Sequence, residues 1–221
     1  MSRGLGDVYK RQVKIDGSSD SEGLIRGSIT SGSISLVGDT SRGEGASLYG
    51  VGIGAATVIG AFLNTNNTVL TSLSVTNINI EDLDISAPLI GRAMLGGIVG
   101  CCGNTTAKNI QSRIQNVDIK NVDINKEVKR FAFNGGIIGL VKEGVKKCEI
   151  SNVKIIGDKN NKNTITGYRH SGGIIGLISS DTIIDNCLIE NYEIVTDEYG
   201  EDVGGIVGKI NDNKSTLIVK N

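Results

Sequence analysis

Gly96-Gly97-Ile98-Val99-Gly100, Gly135-Gly136-Ile137-Ile138-Gly139, Gly172-Gly173-Ile174-Ile175-Gly176 and Gly204-Gly205-Ile206-Val207-Gly208 are near-copies of one five-residue segment. A degenerate earlier copy, Val58-Ile59-Gly60, lacks the paired glycines. The closing glycines Gly60, Gly100, Gly139, Gly176 and Gly208 follow one another at 40, 39, 37 and 32 residues. Self-similarity at such a period marks a repeat architecture, in which each unit buries its apolar face only against its neighbours.

A second landmark follows each copy: an apolar residue, any residue, then Asn. It reads Val75-Thr76-Asn77, Ile114-Gln115-Asn116, Ile150-Ser151-Asn152 and Ile189-Glu190-Asn191, with a last partial copy in Val219-Lys220-Asn221. Helical repeats share these periods, but a glycine inside a helix costs about 1 kcal/mol relative to alanine. Every copy here sets glycines beside β-branched residues, which favour strands. Asn116-Val117-Asp118-Ile119 and Asn121-Val122-Asp123-Ile124 alternate with period two, the pattern of a strand with one buried face. The expected fold is therefore all-β: a parallel β-solenoid, or β-helix, of about five repeats of 32 to 40 residues spanning 50–221.

In such a stack, like positions lie over one another about 4.8 Å apart. The paired glycines Gly97, Gly136, Gly173 and Gly205 are expected at a corner, either because φ is positive or because a neighbouring backbone comes close. Asn77, Asn116, Asn152, Asn191 and Asn221 are expected to form a stacked amide ladder. The segments that absorb the differences in repeat length, Glu127–Phe133, Asp158–Tyr168 and Asp197–Asp202, are expected as loops on the outside.

Composition narrows the class. The chain of 221 residues holds 31 Gly but one Pro, which excludes collagen, and its regularly placed Ile, Val and Leu argue against disorder. A net charge of −1 provides no general field for nucleic acid or an anionic membrane. No apolar run approaches the roughly 20 residues needed to span a bilayer as a helix. Aromatic residues at 4%, with no Trp, leave little for a sugar-stacking platform.

The ends read differently. Ser2–Gln12 resembles the in-frame translation of a transposase sequencing adapter, so residues 1–12 are set apart as non-native, and the true N-terminus with any signal peptide is expected upstream. Residues 13–49 are β-rich, with Ile25, Ile29, Ile34 and Leu36 at strand-like intervals, and read either as a further degenerate coil or as the remnant of what precedes the repeat. The last repeat stops in mid-copy at Asn221, so an open sheet edge and self-association are expected there.

Few residues suggest chemistry. Cys101, Cys102, Cys148 and Cys187 have no CxxC spacing; Cys148 and Cys187 each precede a landmark Asn by four residues and are expected to stack as buried thiols. His170, beside Tyr168 and Arg169, reads as a surface loop residue. Asp84 and Asp123 both follow their landmark Asn by seven residues and are expected as neighbours on adjacent coils. Paired carboxylates about 5 Å apart are what retaining glycosidases use, but the next copies are expected to carry Lys159 and Glu198, and alternation leaves both Asp side chains solvated. The acidic groups Glu81-Asp82-Asp84 and Asp197-Glu198-Glu201-Asp202 offer calcium-type oxygens without a calcium-loop order, and read as solvated loops. No cofactor and no metal is expected.

The repeated Gly-Gly-Ile-[Ile/Val]-Gly, followed by segments such as Asn186-Cys187-Leu188-Ile189, resembles the GLUG-motif repeats of bacterial surface and secreted proteins over about residues 55–221. The chain departs from the pattern where Cys101-Cys102 replaces the pair seen as Leu140-Val141, and where the first copy lacks Gly-Gly. The resemblance implies an exported, noncatalytic bacterial solenoid acting as a stalk or adhesive surface, with a host protein or glycan as partner. Some relatives carry metallopeptidase domains, but this chain has a single histidine and no His-Glu-x-x-His. The other readings are a carbohydrate-active β-helix enzyme using Asp84 and Asp123, and a segment of a phage fibre.

Overall fold

The computed structural model describes residues 10–16, 24–30, 53–56, 59–62, 69–86, 93–103, 109–124, 132–160, 162–167, 169–196, 200–211 and 215–221. In chain order the strands are β1 (Lys10–Asp16), β2 (Leu24–Thr30), β3 (Ile53–Ala56), β4 (Ile59–Phe62) and β5 (Val69–Ser86). A second round gives β6 (Ala93–Gly96), β7 (Val99–Cys102) and β8 (Ile110–Ile124). The third is β9 (Ala132–Gly135), β10 (Ile138–Val141), β11 (Val145–Ile156) and β12 (Asn163–Gly167). The fourth is β13 (His170–Gly172), β14 (Ile175–Ile178), β15 (Thr182–Glu190) and β16 (Tyr192–Thr196), and the last is β17 (Asp202–Gly204), β18 (Val207–Ile210) and β19 (Leu217–Lys220).

Strands of the same rank in successive rounds pair in parallel, which makes the molecule a parallel β-solenoid with three sheets. Two sheets are short and five-stranded, β3-β6-β9-β13-β17 and β4-β7-β10-β14-β18; the third contains the long strands. Register repeats the sequence period: Ile59, Val99, Ile138, Ile175 and Val207 lie in one column. Another column runs Val75, Ile114, Ile150, Ile184 and Val219. Ile114 and Ile150 are fully buried, and burial of a side chain this size stabilises by about 1.5–3 kcal/mol relative to leaving it exposed.

The paired glycines form the corner between the two short sheets, and close approach is what requires them. None of Gly97, Gly136 and Gly173 has positive φ. A Cβ on Gly97 would lie 2.2 Å from the carbonyl oxygen of Gly136, and one on Gly136 equally 2.2 Å from that of Gly173. The same contact carries the coil-to-coil hydrogen bonds, Gly97 N–H to Gly136 O at 3.1 Å and Gly136 N–H to Gly173 O at 3.2 Å. The closing glycines serve the contact between sheets: a Cβ on Gly139 would meet Leu95 N at 2.6 Å and Gly100 O at 2.7 Å.

Left-handed backbone falls instead on asparagine. Asn77, Asn116, Asn152 and Asn186 have φ of 56°, 53°, 53° and 48°, and Asn121 and Asn191 mark a second bend at 51° and 56°. Asn tolerates this region better than other side chains. Each bend resets the alternation of the strand, so that Ile114 and Val117, and again Ile119 and Val122, all face the interior. That is why the landmark reads apolar-x-Asn-apolar.

Three expectations need correction or extension. The segment Asp158–Tyr168 is not all outer loop: Asn163–Gly167 is strand β12, pairing with β16 and β8, because its Ile165 takes an inward place in the stack. Phe133, expected at a loop end, lies buried in β9, and Asp202 opens β17; 125–131 and 197–199 lie outside the described residues. Toward the N-terminus, β1 and β2 both lie along β5, with Ile25 opposite Ile80 and Ile29 opposite Ile85, so Leu24–Thr30 joins the stack. β1 begins at Lys10, inside the stretch the sequence reading set apart; Ile34 and Leu36 lie outside the described residues.

Candidate functional site

The outer bend of the long sheet carries the expected ladder with one change of membership. Asn116 Nδ2 donates to Asn77 Oδ1 at 3.1 Å, Asn152 Nδ2 to Asn116 Oδ1 at 3.1 Å, and Asn186 Nδ2 to Asn152 Oδ1 at 2.8 Å. The fourth member is therefore Asn186 and not Asn191, which sits five residues on at the second bend. Asn221 follows the pair Asp185 and Lys220 and so takes the column of Asn186. Beside the ladder runs a column in strict register, Asn79, Asp118, Lys154 and Leu188. Together they border an open groove of about 570 Å³.

At the second bend the middle coil leaves the sheet after Ile156, and Tyr192 fills the gap. Its hydroxyl donates to Val122 O at 2.8 Å and accepts from Val122 N–H at 3.2 Å, reaching past one coil to the next but one. Gly157 lies in between, where a Cβ would come within 2.3 Å of Asn191 O. Burial pushes the Tyr192 phenol well above its ordinary range. Nothing in the sequence points to this clamp beyond an aromatic residue following Asn191.

Asp84 and Asp123 are register partners on adjacent strands, as expected. The side chain of Asp84 lies outside the described residues. Asp123 Oδ1 accepts from the backbone N–H of Thr164 at 2.7 Å and from its hydroxyl at 3.3 Å. The next positions in this column are Thr164 and Glu193, not Lys159 and Glu198, because β12 re-enters the sheet beyond the Asp158–Asn160 turn. Asp123 thus ties one coil to the next.

His170 departs most from its sequence reading. It is a strand residue only 4% exposed, stacked on Phe133 with ring centroids 5.3 Å apart. Its Nδ1 lies 2.9 Å from Asp202 Oδ2, without the alignment of a hydrogen bond, and its Nε2 lies 3.9 Å from Glu201 Oε2. Arg169 Nε donates to Glu201 Oε1 at 2.8 Å, and Lys209 Nζ to Asp202 Oδ2 at 3.1 Å. Burial, then the charge of Lys209, pushes the imidazole below its ordinary range, while Asp202 and Glu201 pull it back. Lys209 holds Asp202 below the usual carboxylate range, and Arg169 does the same for Glu201. The ligand atoms of His170, Glu201 and Asp202 fall within 4.8 Å of one another, close enough to hold a metal ion. Two cationic side chains already balance the two carboxylates, so an ion would have to displace them. The signal was present in the sequence: Met94, Phe133, His170 and Asp202 each stand two residues before the first glycine of their pair.

The cysteines do not form the expected stack. Cys148 pairs in register with Ser112 and Thr182, whereas Cys187 lies opposite Val153, a consequence of the same five-residue misplacement of the fourth Asn. All four thiols are free. Burial pushes Cys101 and Cys148 up to about 12, which keeps both protonated and unreactive. Of the two acidic groups, Glu81 pairs with Lys120 at 3.3 Å, and Glu201 and Asp202 belong to the network above. Compared with protein-family models, with curated proteins and with solved structures, the chain finds no match.

Proposed function

We propose that the chain is a noncatalytic repeat scaffold of an exported bacterial protein, an adhesin-like binding surface or stalk whose outward columns meet a host protein or glycan. The observation that carries this reading is the contrast at the groove. The ladder is the same amide on every rung, while the neighbouring column changes from Asn79 to Asp118 to Lys154 to Leu188. A constant backbone with a freely varying outer column gives recognition without loss of the frame. Polar groups elsewhere join coil to coil, as in Arg113 with Glu149 and Arg169 with Glu201, which supports a structural reading of the charged residues.

Binding of the immobilised chain to panels of extracellular proteins and glycans tests the proposal. Saturable binding that is lost in Asp118→Lys/Lys154→Glu, with an unchanged melting temperature, supports it. Silence across both panels, together with absence of antibody labelling on intact cells that make the native protein, contradicts it. Glycan cleavage that disappears in Asp123→Asn yet survives in Asp202→Asn contradicts the noncatalytic part and favours the carbohydrate-active alternative.

A further inference from the structure

His170, the single histidine of the chain, interrupts an apolar column. Register runs Met94, Phe133, His170, Asp202 through one short sheet, and Cys101, Leu140, Leu177, Lys209 through the other. Met94, Cys101, Phe133, Leu140 and Leu177 pack as one apolar cluster. The first column turns polar at His170 and the second at Lys209, which reaches Asp202 at 3.1 Å. Packing explains the apolar members but not this paired change.

Two observations at the change point to a ligand. The first is an orphaned atom: His170 is only 4% exposed, and its Nδ1 has no hydrogen-bond partner although Asp202 Oδ2 stands 2.9 Å away. Buried polar atoms are nearly always paired, and this ring is held in place by stacking on Phe133 at an interplanar angle of 11°. The second is convergence. One donor atom each from His170, Glu201 and Asp202 falls within 4.8 Å of the others. The N–H groups of Glu201 and Asp202 both bond to Arg169 O, at 3.1 and 2.9 Å, which anchors the two carboxylates beside the imidazole. Donors bound to zinc at about 2.0–2.2 Å stand roughly 3.3 Å apart in a tetrahedron, so modest side-chain rotation closes the set.

We propose that His170, Asp202 and Glu201 bind a divalent transition-metal ion of the zinc type, which clamps one coil to the next. An imidazole with two carboxylates suits zinc and its neighbours, whereas calcium and magnesium take oxygen donors. Arg169 and Lys209 neutralise the same carboxylates, at 2.8 and 3.1 Å. The ion takes over that charge, and the two flexible side chains turn outward. The site therefore contains its own competitor, and removing the charge of Lys209 favours the metal. All five residues lie on two adjacent coils, away from the outer column of the long sheet that carries the binding-surface reading.

Isothermal titration calorimetry with zinc chloride, paired with thermal melting, tests the proposal. The expected result is a saturable component of one zinc ion per chain that raises the melting temperature. His170→Phe keeps a ring on Phe133 and Asp202→Asn keeps the side-chain size; each weakens zinc binding by roughly tenfold or more, with metal-free melting showing that the variant is folded. Lys209→Gln tightens binding several-fold. Calcium chloride does not compete, and Cys187→Ser, at the half-buried thiol, changes nothing. No binding up to roughly 1 mM zinc overturns the proposal. So does binding that survives in folded His170→Phe or Asp202→Asn, that weakens in Lys209→Gln, or that is lost with Cys187.

Discussion

Asn116 combines two roles in one side chain: it accepts a left-handed backbone at φ 53°, and it passes one hydrogen bond up and one down the ladder. Asn116→Ala forfeits both, and equilibrium urea denaturation should register a loss of about 3–4 kcal/mol, since left-handed backbone costs roughly 1–2 and each of the two net hydrogen bonds about 1. Asn116→Gly keeps the backbone and should lose only the hydrogen-bond part, about 2 kcal/mol. Tyr192→Phe removes both partners of the Val122 peptide groups, and because those groups stay buried the expected loss is about 1–3 kcal/mol by the same measurement. Tyr192→Trp, too large for the gap, should not restore it. Charge gives the pH dependence. His170 titrates below its ordinary 6.5 in the folded chain, so as pH falls the unfolded imidazole binds its proton first. Stability is then whole above pH 6.5 and declines as pH drops toward the folded value. Glu201 and Asp202 are likewise depressed from 4.5 and 3.8, and their contribution has the same sign, present above those values and lost beneath them. Melting temperature against pH should therefore fall in two stages, and His170→Phe, which keeps a ring on Phe133, should remove the upper one.

Among the elements, the glycine corner was the most legible in advance, because its requirement is local: the spacing of 40, 39, 37 and 32 residues is the observed register. Gly136→Ala should cost about 3 kcal/mol or more, as a carbonyl at 2.2 Å cannot withdraw without breaking the Gly136 to Gly173 hydrogen bond. Gly205→Ala, facing open space, should change the stability of the monomer by less than about 0.5 kcal/mol. The Asn landmark was legible in kind but not in place. Asn116 and Asn121 are both preceded by an apolar residue and one other, as are Asn186 and Asn191, so two bends carry one signature. The ladder Asn follows Gly100, Gly139 and Gly176 by 16, 13 and 10 residues as the intervening turn shortens, whereas a near-constant spacing pointed to Asn191. β12 was missed because unequal segment lengths were read as loops throughout, although Thr164-Ile165-Thr166 alternates like its neighbours. His170 was misplaced for a related reason: its partners Phe133, Glu201 and Asp202 lie a full coil away, and only counting from each glycine pair brings them together.

For the molecule as a whole, stability accrues rung by rung, since each coil contacts mainly its neighbours. Among the described residues no helix is long and apolar enough to cross a membrane, and the long sheet's outer face is free to carry variable side chains. Parallel, in-register stacking of β8 on β11 sets Ile114 beside Ile150 and Ile119 beside Ile155. Interstrand nuclear Overhauser contacts from the labelled protein test that stacking most directly. Parallel-type Hα to N–H contacts linking Ile114 with the Ile150 region and Ile119 with the Ile155 region are the predicted result. Hα to Hα contacts of antiparallel hairpins, or the sequential N–H to N–H pattern of helices across Gly97–Gly208, would contradict it.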